Sequence, residues 1–140
     1  MSGLPVGVYF YSYSKNVKQA REQANWVKDN LKNYKLDLPV AFDWESWSSF
    51  NGTGMSFYTI NKSANEFLRV LEDEGYKGML YSSKNYLERI WYPTEYETWL
   101  AQYNTKATYN GEYSIWQMCD TGIVDGIKGD VDIDIMYLDK

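Results

Sequence analysis

Short apolar runs alternate along the chain with segments of helical period. The runs Val6–Tyr11, Leu38–Glu45, Lys77–Tyr81, Trp99–Tyr103, Tyr113–Met118 and Val131–Met136 predict six strands. Between the first two, Val17, Ala20, Ala24, Val27 and Leu31 recur at helical spacing, and Ser14 or Asn16 is placed to cap that helix. Ala64, Phe67, Leu68 and Leu71 make the apolar stripe of a second helix, with Ser63 and Glu66 spaced as a capping box and Gly75 as its stop. A third, shorter helix is predicted around Asn85–Ile90. Pro93 and the polar stretch 104–111 then bring strand centres closer together, so the later strands lack full helices between them. With no internal repeat or linker, the pattern predicts one α/β domain over residues 1–140, a β/α barrel that turns strand-rich toward its C-terminus.

The second run carries the chemistry. Leu38-Pro39-Val40-Ala41-Phe42-Asp43-Trp44-Glu45 is almost wholly apolar until it ends in two acids one residue apart. Strand alternation sets Ala41, Asp43 and Glu45 on one face and Val40, Phe42 and Trp44 on the other. Neighbouring carboxylates at the end of a buried strand raise each other's proton affinity, which is what a proton donor working near neutral pH needs and what a glycosidase uses. Acids at strand ends also cap helices or face water, but here an aromatic, turn-rich stretch, Ser46-Trp47-Ser48-Ser49-Phe50-Asn51-Gly52, follows as the next loop. In β/α barrels catalytic groups stand at the C-terminal ends of strands, a position shared by Tyr11 with Ser12, Tyr81, Tyr103 with Asn104, and Gln117. Asp132 interrupts the apolar run Val131-Asp132-Ile133-Asp134-Ile135; alternation alone leaves open whether it is a site residue or part of an edge strand's polar face.

Composition narrows the field. A chain of 140 residues, 44% hydrophobic, is long enough to bury a core, and its net charge of −5 without a basic cluster argues against nucleic-acid or anionic-membrane partners. No histidine and a single cysteine, Cys119, argue against a metal site, a cofactor held by such ligands, an internal disulfide, or a histidine-activated nucleophile. Met1-Ser2-Gly3 leads almost at once into a strand, so neither a signal peptide nor a membrane-length apolar run is expected. Aromatic residues make up 18% of the chain, including 14 Tyr, which favours a ring-lined groove suited to sugars.

These features resemble the family-25 glycoside hydrolases, the Chalaropsis-type lysozymes or N-acetylmuramidases. The matching segments, in the family's order, are Pro5–Ser12, Leu38–Glu45, Gly75–Ser82, Trp99–Tyr103, Ile115–Gln117 and Gly129–Asp134. The resemblance implies a (β/α)5β3 TIM-like barrel that cleaves the β-1,4 bond between N-acetylmuramic acid and N-acetylglucosamine in bacterial peptidoglycan, without a cofactor. It implies Glu45 as general acid/base, Asp43 as the partner that holds the acetamido group or stabilises the developing cation, and Asp132 as the acid of the last strand. Tyr9, Tyr11, Tyr81 and Tyr103 would line the groove, with Trp116 and Gln117 beneath or beside the sugar. The family's opening strand, roughly G-x-D-x-S, and the strand after it have no counterpart ahead of Pro5, so the barrel expected here is truncated at its N-terminus, with six of eight strands. A homodimer covering the open edges is one expected remedy, and action on the cell wall, extracellular or after phage release, is the expected setting. Two other readings fit the same residues: a non-catalytic glycan-binding remnant, and a barrel hydrolase of chitin-like polymers acting through the substrate's acetamide.

Overall fold

The computed structural model describes residues 3–45 and 54–138. Nine elements follow in the order β1 Val8–Tyr11, α1 Val17–Leu31, β2 Val40–Asp43, α2 Phe57–Glu72, β3 Gly78–Ser83, α3 Lys84–Arg89, β4 Glu97–Ala101, β5 Ile115–Gly122 and β6 Val131–Met136. The six strands form one sheet in sequence order, β1-β2-β3-β4-β5-β6. Pairing is parallel from β1 to β5, and β6 returns antiparallel to β5. Three β/α steps followed by strands without intervening helices give a six-strand TIM-like half-barrel, with the element order that the sequence pattern predicts and the strand number that the family resemblance implies.

The sheet is apolar on both faces for different reasons. On one, Val40, Phe42, Trp44 and Leu80 pack with Ala20, Ala24 and Val27 of α1 and with Ile60, Ala64, Phe67, Leu68 and Leu71 of α2. Phe67 is fully buried with its ring 5.5 Å from Phe10 and 5.0 Å from Phe42, so it joins two strands to the helix layer. Among the described residues the other face carries no helix: Ala41, Met79, Tyr81, Ala101 and Ile115, with Trp99 against them, form the inside of the half-barrel. A hollow of about 260 Å3 opens there, lined by Tyr9, Ala41, Met79, Trp99, Ile115 and Met136 among others.

Two helix ends differ in what the sequence led one to expect of them. Asn16, one of two candidate caps, caps α1, accepting from the Gln19 amide at 2.9 Å. Helix α2 starts at Phe57 rather than near Ser63, because Ser56 accepts from the Thr59 amide at 3.1 Å and starts the helix two turns earlier. Ser63 is consequently an interior helix residue, buried, with its hydroxyl lacking a partner among the described residues. Glu66 turns outward to Arg21 of α1 and Arg69, at 2.6 and 2.9 Å. Gly75, at φ +91°, adopts the left-handed conformation that lets the chain leave α2, as expected of a stop. The loop 46–52 read from the sequence lies outside the described residues. Among the described residues, no helix is long and apolar enough to cross a membrane.

Candidate active site

Parallel pairing sets Tyr11, Asp43 and Tyr81 side by side across β1, β2 and β3, with Tyr11 and Asp43 the last residues of their strands and Tyr81 two residues before the end of β3. Each points to the helix-free face, because Phe42 and Leu80 fill the alternate positions against the helices. The apolar core thus dictates where the acids go: burying Phe42 and Trp44 leaves Asp43 and Glu45 no choice but the inside of the half-barrel. The turn after β1 is tied to the same strand, since the Ser12 amide donates to the Asp43 carbonyl at 2.7 Å. Ser12 Oγ in turn donates to Gln23 Oε1 at 2.7 Å and lies 2.9 Å from the Ser14 hydroxyl, a buried ladder that joins the rim to α1.

Asp43 is 5% exposed, and its Oδ1 is buried with no hydrogen-bond partner among the described residues. Burial, aided by the charge of Glu45, pushes its pKa up to about 7. Glu45 is half-buried, and burial raises its pKa too. A carboxyl that keeps its proton to neutrality beside a second, more accessible one is a proton-donating pair.

Opposite the acids lies a hydrogen-bond hub. Gln117, 3% exposed on β5, accepts at Oε1 from the hydroxyls of Tyr81 at 2.7 Å and Tyr103 at 3.0 Å. Its Nε2 donates to Asp132 Oδ2 at 3.1 Å. Burial holds the Tyr81 phenol well above its ordinary range, with Tyr103, Glu45 and Asp43 adding to the effect. Tyr103 is raised as well, first by burial.

The antiparallel return of β6 explains how Asp132 reaches this end. It stands second in its strand, and only a reversed strand brings that position level with the C-terminal ends of the others. β6 is an edge strand, and its polar face, Asp132 with Asp134, is the one turned to Gln117 and Trp99. Asp134, on that face, accepts from the Trp99 indole at 2.7 Å, and burial raises its pKa while that bond pulls the other way. The Trp99–Asp134 pair was not singled out from the sequence; the alternation that aligns Asp132 with Asp134 was the signal for it.

The structure therefore gathers Asp43, Glu45, Tyr81, Tyr103, Gln117 and Asp132 at one rim, with Tyr11 beside them. Two expected groove residues lie elsewhere. Tyr9 is two residues below the rim on the edge strand, 63% exposed, and lines the apolar hollow beneath the acids. Trp116 alternates with Gln117 and so points to the opposite side of the sheet, buried, with its indole donating to the Gln102 carbonyl at 2.9 Å.

Comparison with known proteins bears on the family and the fold. The chain is 29% identical over 139 residues to the protein YegX of Escherichia coli (strain K12), an alignment covering 96% of this chain and 48% of YegX. It spans about half the length of the curated relatives it matches. The modular autolysin LytC of Streptococcus pneumoniae superposes with a TM-score of 0.80 at 26% identity, over 96% of this chain and 34% of LytC. A lysozyme of Streptomyces coelicolor superposes with a TM-score of 0.77 at 20% identity, over 96% of this chain and 68% of that one. A sequence model of the glycosyl hydrolases family 25 matches residues 1–127, which include Asp43, Glu45, Tyr81, Tyr103 and Gln117 and stop short of Asp132. With sequence and fold in agreement over nearly its whole length, the chain belongs to glycosyl hydrolase family 25.

Proposed function

We propose that this chain is the catalytic portion of a lysozyme-type hydrolase that cleaves the β-1,4 bond between N-acetylmuramic acid and N-acetylglucosamine in peptidoglycan, acting at the cell wall. The observation that carries this is the Asp43–Glu45 pair, buried enough to retain a proton near neutral pH and facing Tyr81 on the rim of the half-barrel. Support comes from LytC, described as an autolysin in complex with a synthetic peptidoglycan ligand, and from the lysozyme of Streptomyces coelicolor.

In this mechanism the Asp43–Glu45 pair holds one proton, and Glu45, the more accessible acid, delivers it to the glycosidic oxygen as the C–O bond breaks, so that Asp43 meets the developing charge as a carboxylate. Asp43 and Asp132 support the positive charge that develops on the sugar, either by direct attack or by steering the substrate's own acetamide. Water then completes hydrolysis and returns a proton to Glu45. Tyr81, Tyr103 and Gln117 border the sugar, and Tyr11 offers a ring face at the β1 side.

Turbidity loss of purified bacterial cell walls tests the proposal. Glu45→Gln should lower the rate by about 10²–10⁴-fold, the usual share of a general acid, with circular dichroism unchanged. Full activity in that variant would discard the assignment. The non-catalytic reading draws on one observation, that β1, beside the acid pair, is an edge strand. It predicts affinity for glycan oligomers with no turnover by the unaltered chain.

A further inference from the structure

The Gln117 hub does more than join three strands, because its hydrogen bonds have a direction. The two ends of a primary amide have nearly the same shape, and their partners decide which is which. One end lies 3.1 Å from Asp132 Oδ2, and a carboxylate can only accept, so that end is the NH2 group. The other end is therefore the carbonyl, and both phenols at 2.7 and 3.0 Å must donate to it. A phenol has one proton, and each of these has already placed it. What Tyr81 and Tyr103 turn toward the rest of the rim is lone pairs.

We propose that Gln117 is a positioning residue that sets the proton polarity of the site: by holding the hydroxyl protons of Tyr81 and Tyr103, it prevents them from donating to Asp43 and Glu45. Tyr81 is the cross-strand neighbour of Asp43, yet Asp43 Oδ1 is buried without a donor among the described residues. The groups that face Asp43 are Tyr11 from β1, Glu45 from its own strand and Tyr81 from β3; Tyr103 lies beside the Tyr81 hydroxyl on the same amide oxygen, and Asp132 holds the other end of Gln117. A phenol that donated to Asp43 would stabilise the carboxylate and lower its proton affinity. Deprived of that donor, the pair keeps its proton for whatever enters the cleft. Asp132 takes part indirectly, since it determines which way the amide faces. The significance for catalysis rests on the hydrolase reading; the proton arrangement itself does not.

The test is a titration of the Asp43 carboxyl by carbon-13 NMR on the full chain, in wild type and two variants. Gln117→Met keeps the length of the side chain but neither accepts from the phenols nor donates to Asp132. It should release Tyr81 toward Asp43 and move the Asp43 midpoint down by about one pH unit or more. Gln117→Glu keeps an acceptor for both phenols and adds a negative charge, so the midpoint should hold or rise. A residue that only fills space would give the opposite ranking, with Met the milder change. An unchanged midpoint in folded Gln117→Met, or an equal fall in both variants, overturns the proposal. Should Gln117→Met not fold, Gln117→Glu and the wild type decide it: a midpoint that falls in Gln117→Glu, or Tyr81 and Tyr103 hydroxyl protons nearer the Asp43 carboxyl than the Gln117 side chain, would also overturn it. In cell-wall lysis, Gln117→Met should shift the alkaline limb of the pH profile the same way. If the titrations behave as stated while wild type never lyses walls, the hydrolase reading fails and the role of Gln117 stands; the reverse result removes only the role of Gln117.

Discussion

Asp43 is the residue on which site chemistry and stability meet. Its pKa is about 7 in the fold against an ordinary 3.8, so between these values the folded state binds a proton that the unfolded chain has released. Stability contributed by the neutral carboxyl is complete below about pH 4 and is lost as pH rises toward 7. At about 1.36 kcal/mol per unit, the loss is on the order of 2–4 kcal/mol. Asp43→Asn cannot ionise, so it should match wild type in thermal melting at pH 4 and exceed it by that order at pH 8. An Asn variant no more stable than wild type at pH 8 would show that the carboxyl is not strained by burial. The position and face of this residue were legible in the sequence, because an apolar strand interrupted at alternate positions has one arrangement that buries its rings. The members of the hub were legible as well, since Tyr81, Tyr103, Gln117 and Asp132 were all expected at the site, but their bonding through one amide was not: Gln117 and Trp116 are adjacent and both buried, and only the pairing of β4 with β5 says which of the two looks inward. The depth of Tyr9 was hidden for a related reason, since a strand's apolar run does not mark where the rim of the sheet falls.

At the scale of elements, existence was easier to read than bounds: β4 lies at Glu97–Ala101 and β5 at Ile115–Gly122, where the expected runs were Trp99–Tyr103 and Tyr113–Met118. Val131–Met136 is bounded as read, because strict alternation in a short edge strand has abrupt ends. In α2, Ser63 and Glu66 imitate a capping box while lying inside a helix that begins at Phe57. Polar Asn61 and Lys62 interrupt the stripe there and conceal its first turns. Asn61 is polar for a tertiary reason: its amide donates to the Phe57 and Ile90 carbonyls, both at 2.8 Å, and accepts from the Tyr92 amide at 2.7 Å, bolting α2 to the end of α3. The hold of α2 on the sheet is concentrated in Phe67. Phe67→Ala should destabilise the chain by about 3–5 kcal/mol in denaturant melts. A cost below 1 kcal/mol would mean that the rings of Phe10 and Phe42 collapse into the space.

For the whole molecule, the sides of β1 and β6 left without a strand partner among the described residues are the feature to explain. Exposed apolar side chains follow both: Leu4 and Val6 run up to β1, with Tyr9 in it, and Ile135 and Met136 end β6, with Leu138 beyond it. Such flanks favour strand pairing with another chain. We therefore expect light scattering to report a dimer at micromolar concentration, and Val6→Lys to return it to monomer. A wild-type monomer at all concentrations would remove the dimer and leave the site unaffected. The six-strand half-barrel was visible in the sequence because β/α alternation is a long-range pattern. Which surfaces lie open could not be read in the same way, since exposure depends on what stands next to each strand in space.

The antiparallel return of β6 constrains how this chain can vary. Residues 123–130 make a connection whose length can change at little cost, provided the strand that follows re-enters at the same offset. An offset of one residue would turn Asp132 and Asp134 outward and point Val131, Ile133 and Ile135 into the cleft. The two irregularities in β5, between Gln117 and Cys119 and between Cys119 and Gly122, are where such an offset is absorbed. Natural insertions in this connection should therefore be frequent in relatives that retain the acid, and single deletions within β5 rare.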